Sequence, residues 1–265
     1  MCGIAGYSLT ADSTLERTLA AQALLAGIAE RGADAVGYAH RSPGGSIEVH
    51  KQRTGASELL EEIVVPGGAT EALIHVRDYT KGHPTIAANN HPIRHGAVVG
   101  IHNGIIFNDD ELLAEHDCAR VEPGMTVDSE AIFALAAHSR GSAAPFAELR
   151  GSMAAAWLDE RHPGRLFVTR GVGRPLWLGV GHEGAFFAST KLALEVLERY
   201  VRIRLRKREV GEGTLLVVRD GREERLERFA PNRAFSESPL PPVRAPRERE
   251  FCLRRLAALS AAALA

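Results

Sequence analysis

The order of predicted elements is that of an α+β fold. Three observations carry this reading. Apolar runs of strand length occupy residues 2–9, 35–41 and 46–51. A stretch with helical spacing of apolar residues separates the first run from the second. Residues 152–228 then turn mostly to runs of about 6–8 residues, the length of strands. Strands gathered in blocks, rather than alternating strictly with helices, mark the α+β class. Two mainly antiparallel sheets sandwiched between helix layers fit this order.

Each element has its own signal. Residues 2–9 are short, apolar and β-compatible. Leu15, Leu19, Ala23, Leu24 and Ile28 recur at helical spacing within residues 13–31. Asp12 or Ser13 is the expected cap of that helix, and Gly32 its expected stop. Residues 35–41 and 46–51 read as strands around the Pro43-Gly44-Gly45 turn. A short amphipathic helix follows at 56–64. Residues 72–77 and 97–102 read as buried strands, with a polar loop from 78 to 95 between them. Residues 110–115 and 129–139 read as helices, and 191–199 as a helix among the later strands. Pro239, Pro241, Pro242 and Pro246 mark an extended linker. The Ala, Leu and Arg of residues 247–265 suit a helix too short to be a domain. The expected organisation is one folded unit over 2–232, followed by a linker and helical tail over 233–265.

Composition narrows the function. The chain has 265 residues, enough to bury a sizeable core without staples. Lys plus Arg is 32 and Asp plus Glu is 33, for a net charge of −1. That balance argues against a nucleic-acid partner, which favours a strong basic excess. No apolar run reaches the length of about 18 residues that a membrane span needs, and no secretory signal pattern opens the chain. The cysteines, Cys2, Cys118 and Cys252, are too few and scattered for a disulfide framework. No CxxC or HExxH spacing suggests a metal, so no metal site is expected. Gly171-Val172-Gly173 lacks the third glycine of a dinucleotide fingerprint. The expectation is a soluble cytoplasmic protein with reduced thiols and no membrane partner.

Cys2 follows the initiator Met, which is expected to be removed before so small a residue. Cys2 would then carry a thiol and a free α-amine. A thiol of pKa about 8.5 needs a base, and an α-amine of pKa about 8 can serve. Nucleophile and base would come from one residue. An isolated Cys2 reads as an inert thiol, but its company differs. Cys2-Gly3-Ile4-Ala5-Gly6 is followed by Arg31-Gly32-Ala33-Asp34, then His75-Val76-Arg77 with Thr80 and Gly82. His91-Pro92, His102-Asn103-Gly104-Ile105-Ile106-Phe107-Asn108 and Asp128-Ser129-Glu130 come next. This ordered set resembles the glutaminase domain of class II glutamine amidotransferases, over about residues 2–220.

The resemblance implies the four-layer αββα sandwich of N-terminal nucleophile hydrolases, acting on L-glutamine without metal or organic cofactor. It implies that Arg77, assisted by Thr80, holds the substrate carboxylate, as a guanidinium does through paired hydrogen bonds. Asp128 would pair with the ammonium, or serve only as the cap of the helix from Ser129. Amide hydrolysis needs donors fixed for an oxyanion. Asn103 offers its side-chain NH2 and Gly104 an unobstructed N–H, although Asn-Gly after a strand is also a turn signal. Arg31, Gly32 and Asp34 match a loop beside the nucleophile, and His91 matches a family His-Pro.

Two departures stand out. Asp78-Tyr79 replaces an aromatic and a small residue or proline, and Lys81 replaces a frequent His or Ala. Asp78 is expected to compete for the Arg77 guanidinium. Alternation over Val201-Arg202-Ile203-Arg204-Leu205-Arg206 puts three arginines on one predicted strand face, solvated or open to an acidic partner. The resulting expectation is a glutaminase subunit that passes ammonia to a separate synthetase or other acceptor enzyme. An amidase for another γ-glutamyl or small amide, and a non-catalytic regulatory subunit, are the alternatives.

Overall fold

The computed structural model describes residues 1–139, 141–239 and 241–262. Seven strands form the first sheet: β1 (Gly3–Leu9), β2 (Ala35–Arg41), β3 (Ile47–Gln52), β4 (Glu71–Arg77), β9 (Trp177–Val180), β10 (Gly184–Ala188) and β11 (Arg206–Glu209). Six form the second: β5 (Ile93–His95), β6 (Val98–Ile106), β7 (Gly151–Asp159), β8 (Arg165–Arg170), β12 (Thr214–Arg219) and β13 (Arg222–Arg228). The orders are β11-β9-β10-β1-β4-β2-β3 and β13-β12-β8-β7-β6-β5. Every named strand pair is antiparallel.

The helices are α1 (Arg17–Ile28), α2 (Ala56–Glu62), α3 (Asp109–Glu115), α4 (Ser129–Ser139), α5 (Lys191–Val201) and α6 (Pro246–Ala262). Burial divides among three apolar zones. Ile4, Ala39 and Leu73 of the first sheet meet Ile101, Ala154 and Val168 of the second between the sheets. Tyr7, Ile74 and Phe186 face outward onto α1, α2, α5 and α6. Trp157 and Phe167, stacked at 5.2 Å, face α4 through Phe133. The result is helices, sheet, sheet, helices. Strands β1 and β4 are buried along their whole length, so their sequences run apolar instead of alternating. The edge strands β11 (RKRE) and β13 (REERLER) are charged instead, which discourages edge-to-edge pairing.

Several local expectations are corrected. Glu16 caps α1, accepting from the Thr18 and Leu19 N–H groups. Ser13 instead donates to the Glu183 carboxylate at 2.8 Å. The Asn103-Gly104 pair lies inside β6, not in a turn. The arginine alternation is not a strand: α5 runs to Val201, Arg202 is left-handed at φ 56°, and β11 begins only at Arg206. Arg202, Arg204 and Arg206 are nonetheless all exposed.

The expected tail packs onto the folded unit. Cys252 and Leu256 of α6 are fully buried with α1 and α2. The Glu248 carboxylate accepts from the Ser57 N–H at 2.8 Å, at an α2 terminus that has no side-chain cap of its own. An anion there satisfies orphan donors of the first turn. Arg249 pairs with Glu30 at 2.9 Å, and Arg255 with Glu61 at 3.2 Å. Residues 263–265 of the expected helix lie outside the described residues. Truncating Leu256 leaves a cavity in this layer. Leu256→Ala is expected to lower unfolding free energy by about 3 kcal/mol, measured by urea denaturation. An unchanged midpoint would contradict the packing of α6.

Candidate active site

Strand alternation aims the key side chains. Ile4, Leu73 and Ile101 all point between the sheets. Cys2, two residues before Ile4, shares that face, as do His75 and Arg77 beyond Leu73 and Asn103 beyond Ile101. Pairing of Gly3 with Val76 brings Cys2 in opposite Arg77. His75 Nε2 lies 3.1 Å from the His102 carbonyl, joining β4 to β6 at the same level.

The Cys2 thiol donates to the Asp78 carbonyl at 3.4 Å. Burial pushes this thiol up, while the Asp78 main-chain contact and the nearby Arg77 charge oppose the shift. Arg31 Nε donates to the Cys2 carbonyl at 2.8 Å, fixing the segment from below. Gly32 packs against the next strand so closely that a Cβ would sit 2.3 Å from the Arg77 carbonyl. Asp34 accepts from the Tyr79 N–H at 2.9 Å and donates its own N–H to the Arg77 carbonyl at 3.0 Å. The Arg31-Gly32-Asp34 loop therefore clamps both Cys2 and the strand end carrying Arg77.

Asp78 does not compete for Arg77. Its carboxylate takes the Met1 ammonium and the Arg244 Nε, the latter at 3.2 Å. Arg77 instead spends its donors on the following loop. Nη1 bonds the Asn89 carbonyl and Asn90 Oδ1, the latter at 2.6 Å. Nη2 bonds the Gly82 carbonyl and the Lys81 carbonyl, the latter at 3.0 Å. Lys81 turns its own ammonium away, onto Asp109 at 2.7 Å and Asp110 at 3.2 Å. Thr80 is exposed within this loop. His91 is not exposed: it is buried, stacked on His75 at 4.3 Å, with neither ring nitrogen hydrogen-bonded among the described residues. Burial holds His75 and His102 down at about 3 and His91 well below its usual range. All three are neutral imidazoles near pH 7.

In β6, Asn103 is fully buried and neither its Nδ2 nor its Oδ1 has a partner among the described residues. Buried amides are normally satisfied, so an open one on the inter-sheet face is available to a ligand. Gly104 holds φ 150°, and a Cβ there would lie 1.9 Å from the Ser152 carbonyl. The strand can pass this point only as glycine. His102 points the other way, its Nδ1 at 2.8 Å from Ser129 Oγ and 3.9 Å from Asp128 Oδ2. The buried Asp128 carboxylate accepts from the Ile106 N–H at 2.7 Å. Burial pushes the Arg77 guanidinium down, and the Asp128 charge opposes that shift.

Sequence reasoning missed a second ring of contacts. Asn89 and Asn90 hold Arg77, and Ser129 holds His102. From the far end of the chain, Arg174 meets Glu237 and the Met1 sulfur, the latter at 3.2 Å.

Asp128 sets a pH test. Burial pushes its carboxyl up to about 6 from 3.8, with Asp109 adding and the Ile106 N–H opposing. A raised carboxyl favours the folded state below the unfolded value, and that stability is lost as pH rises through about 6. Asp128→Asn keeps an acceptor for Ile106 and removes the charge. The variant is expected to exceed the parent by about 3 kcal/mol at about pH 8 and to match it at about pH 4. Urea denaturation at both values checks this, and a pH-independent difference contradicts it.

Known proteins resemble this chain in sequence and in fold. Residues 80–196 match the family described as glutamine amidotransferase domain. Glutamine–fructose-6-phosphate aminotransferase (isomerizing) of Gluconobacter oxydans is 31% identical over 211 residues, covering 75% of this chain and 33% of that protein. The protein of the same name from Escherichia coli O6:H1 is 34% identical over 221 residues, covering 76% and 34%. The chain thus spans about a third of the length of these curated relatives. Glutamine phosphoribosylpyrophosphate amidotransferase from B. subtilis superposes with a TM-score of 0.67 at 21% identity, covering 87% of this chain and 50% of that one. A glutamine aminotransferase class-II domain protein from Silicibacter pomeroyi gives 0.55 at 17%, covering 87% and 100%. These structures share the αββα fold expected for N-terminal nucleophile hydrolases. Sequence and fold together show that this chain carries a class II glutamine amidotransferase domain.

Proposed function

We propose that the chain hydrolyses L-glutamine to glutamate and ammonia through a thioester on Cys2. The observation that carries this reading is the unpartnered, fully buried Asn103 amide on the inter-sheet face that Cys2 shares. The thiol, pushed up by burial, does not ionise unaided near neutrality. With Met1 removed, the Cys2 α-amine takes the thiol proton. Sγ then attacks the side-chain amide carbon of glutamine. Asn103 Nδ2 and the Gly104 N–H receive the oxyanion, in a site where preorganised donors act most strongly. Collapse breaks the C–N bond, and the Cys2 ammonium delivers its proton to the departing ammonia. Water then attacks the γ-glutamyl thioester over the same two donors and releases glutamate.

Asp128 pairs with the substrate ammonium. Arg77, with Thr80 from its loop, holds the carboxylate, and His91 walls the pocket beside it. Arg77 must then exchange the Lys81 and Gly82 carbonyls for carboxylate oxygens, which make the stronger, charge-assisted bonds. The ammonia goes to a separate acceptor enzyme. The names of the curated relatives pair glutamine with a sugar-phosphate acceptor, and most of their length lies outside the matched segment.

A second reading follows from the occupied Arg77: an amidase for a γ-glutamyl amide whose carboxylate is read elsewhere. One assay separates the two. Chain lacking Met1 is expected to yield glutamate and ammonia in equal amounts from glutamine, faster than from other γ-glutamyl amides. Asn103→Ala is expected to lower kcat by about 10²–10³ with little change in KM. Faster turnover of another amide would favour the second reading, and an Asn103→Ala variant with full kcat would sink the oxyanion assignment.

A further inference from the structure

A group of side chains far from Cys2 has the composition of a metal site. Strands β2 and β3 form a hairpin in which His40 pairs with Glu48 and Tyr38 with His50. Alternation puts Tyr38, His40, Glu48 and His50 on one face, opposite Ala39 and Ile47, which point between the sheets. One ligand atom from each of His40, Glu48 and His50 lies within 4.8 Å of the others. Tyr38 stacks on His50 at 4.7 Å and 12°, and the two imidazoles stack at 6.1 Å.

The second observation is His40 itself. It is buried, and its Nδ1 has no hydrogen-bond partner among the described residues. Its Nε2 faces the Glu48 carboxylate at 3.8 Å, beyond hydrogen-bond reach. A buried imidazole in this condition lacks a partner that native interiors normally supply.

We infer that His40, Glu48 and His50 bind one divalent cation of the zinc class. Two imidazoles and a carboxylate suit zinc; calcium and magnesium require oxygen-only sets, and no sulfur is offered to softer ions. Tetrahedral zinc places its ligand atoms about 3.3 Å apart. The exposed Glu48 and His50 can close that gap by rotation, and water takes the fourth position. The cation joins the edge strand β3 to β2, at the end of β2 away from the nucleophile. His40 pairs with Ala72, whereas Ala35 pairs with Arg77. Five residues along the strand is about 17 Å. The role is a staple on an edge strand, independent of glutamine chemistry. Spacings of eight and two residues match no metal motif, so only the hairpin register discloses the set.

The test uses the full chain, stripped with a chelator and titrated with zinc by calorimetry. The parent is expected to bind one equivalent, with Cys2→Ser unchanged. The exposed pair Glu48→Gln and His50→Ala, made together, is expected to weaken binding by about 100-fold or more. Zinc at a hundredfold excess over Kd is expected to raise the parent's Tm by about 5 °C, and to leave that of the double variant unmoved. A parent that takes up no zinc, a double variant that retains it, or uptake lost with Cys2 would each overturn the assignment.

Discussion

Antiparallel pairing of β1 with β4 is the constraint on which the site depends. Gly3 opposite Val76 fixes where the chain's second residue enters the sheet, and what stands across from it. A shift of β1 by one residue would turn Cys2 to the helix face while Arg77 stayed between the sheets. That register is held on the other side as well, by β10 along Ala5–Leu9. A residue next to a chain end would ordinarily fray. Here a central strand carries it, with the Arg31 guanidinium bonded to its carbonyl. The second sheet then needs only to present β6, and the His75 contact to the His102 carbonyl ties the two sheets at that level.

The electrostatics of the site centre on one guanidinium. Among the described residues Arg77 is buried without an ion-pair partner, a costly state unless its donors are satisfied. Four oxygens from the loop over residues 81–90 satisfy it. The loop is therefore organised by Arg77, and Lys81 and Arg120 on Asp109 hold its other side. This arrangement couples substrate recognition to loop position in the proposed mechanism: a carboxylate can displace neutral carbonyls, whereas an uncharged amide has less to offer. Asp78, relieved of any role at Arg77, joins the N-terminal ammonium to Arg244 instead.

Much of this was legible in the sequence. Apolar runs located the buried strands, because two-sided burial leaves no alternation to misread, and Gly32 marked the end of the first helical segment. The ordered motif set singled out Cys2, Arg77, Asn103 and Asp128 as candidates, and the structure packs β1 and β4 against β6, and β6 against α4. What stayed hidden was set by distance along the chain. Asn-Gly carried a turn signal, but φ 150° and the Ser152 carbonyl hold it in mid-strand. The partner of Asp78 lies 166 residues away. The C-terminal segment read as a short helical tail, yet Cys252 and Leu256 are enough to bury one face of α6 against α1 and α2. The polar loop before β5 gave no hint that His91 would be stacked and buried.

The central claim is that Cys2 is a nucleophile directed at glutamine. The most direct measurement is intact mass after incubation with a glutamine-mimicking diazoketone, beside a Cys2→Ala control. The account predicts a chain lacking Met1 that carries one adduct, located on Cys2, protected by glutamine and missing from the control. A chain lacking Met1 that takes up no adduct, or takes it up equally after Cys2→Ala, would contradict it.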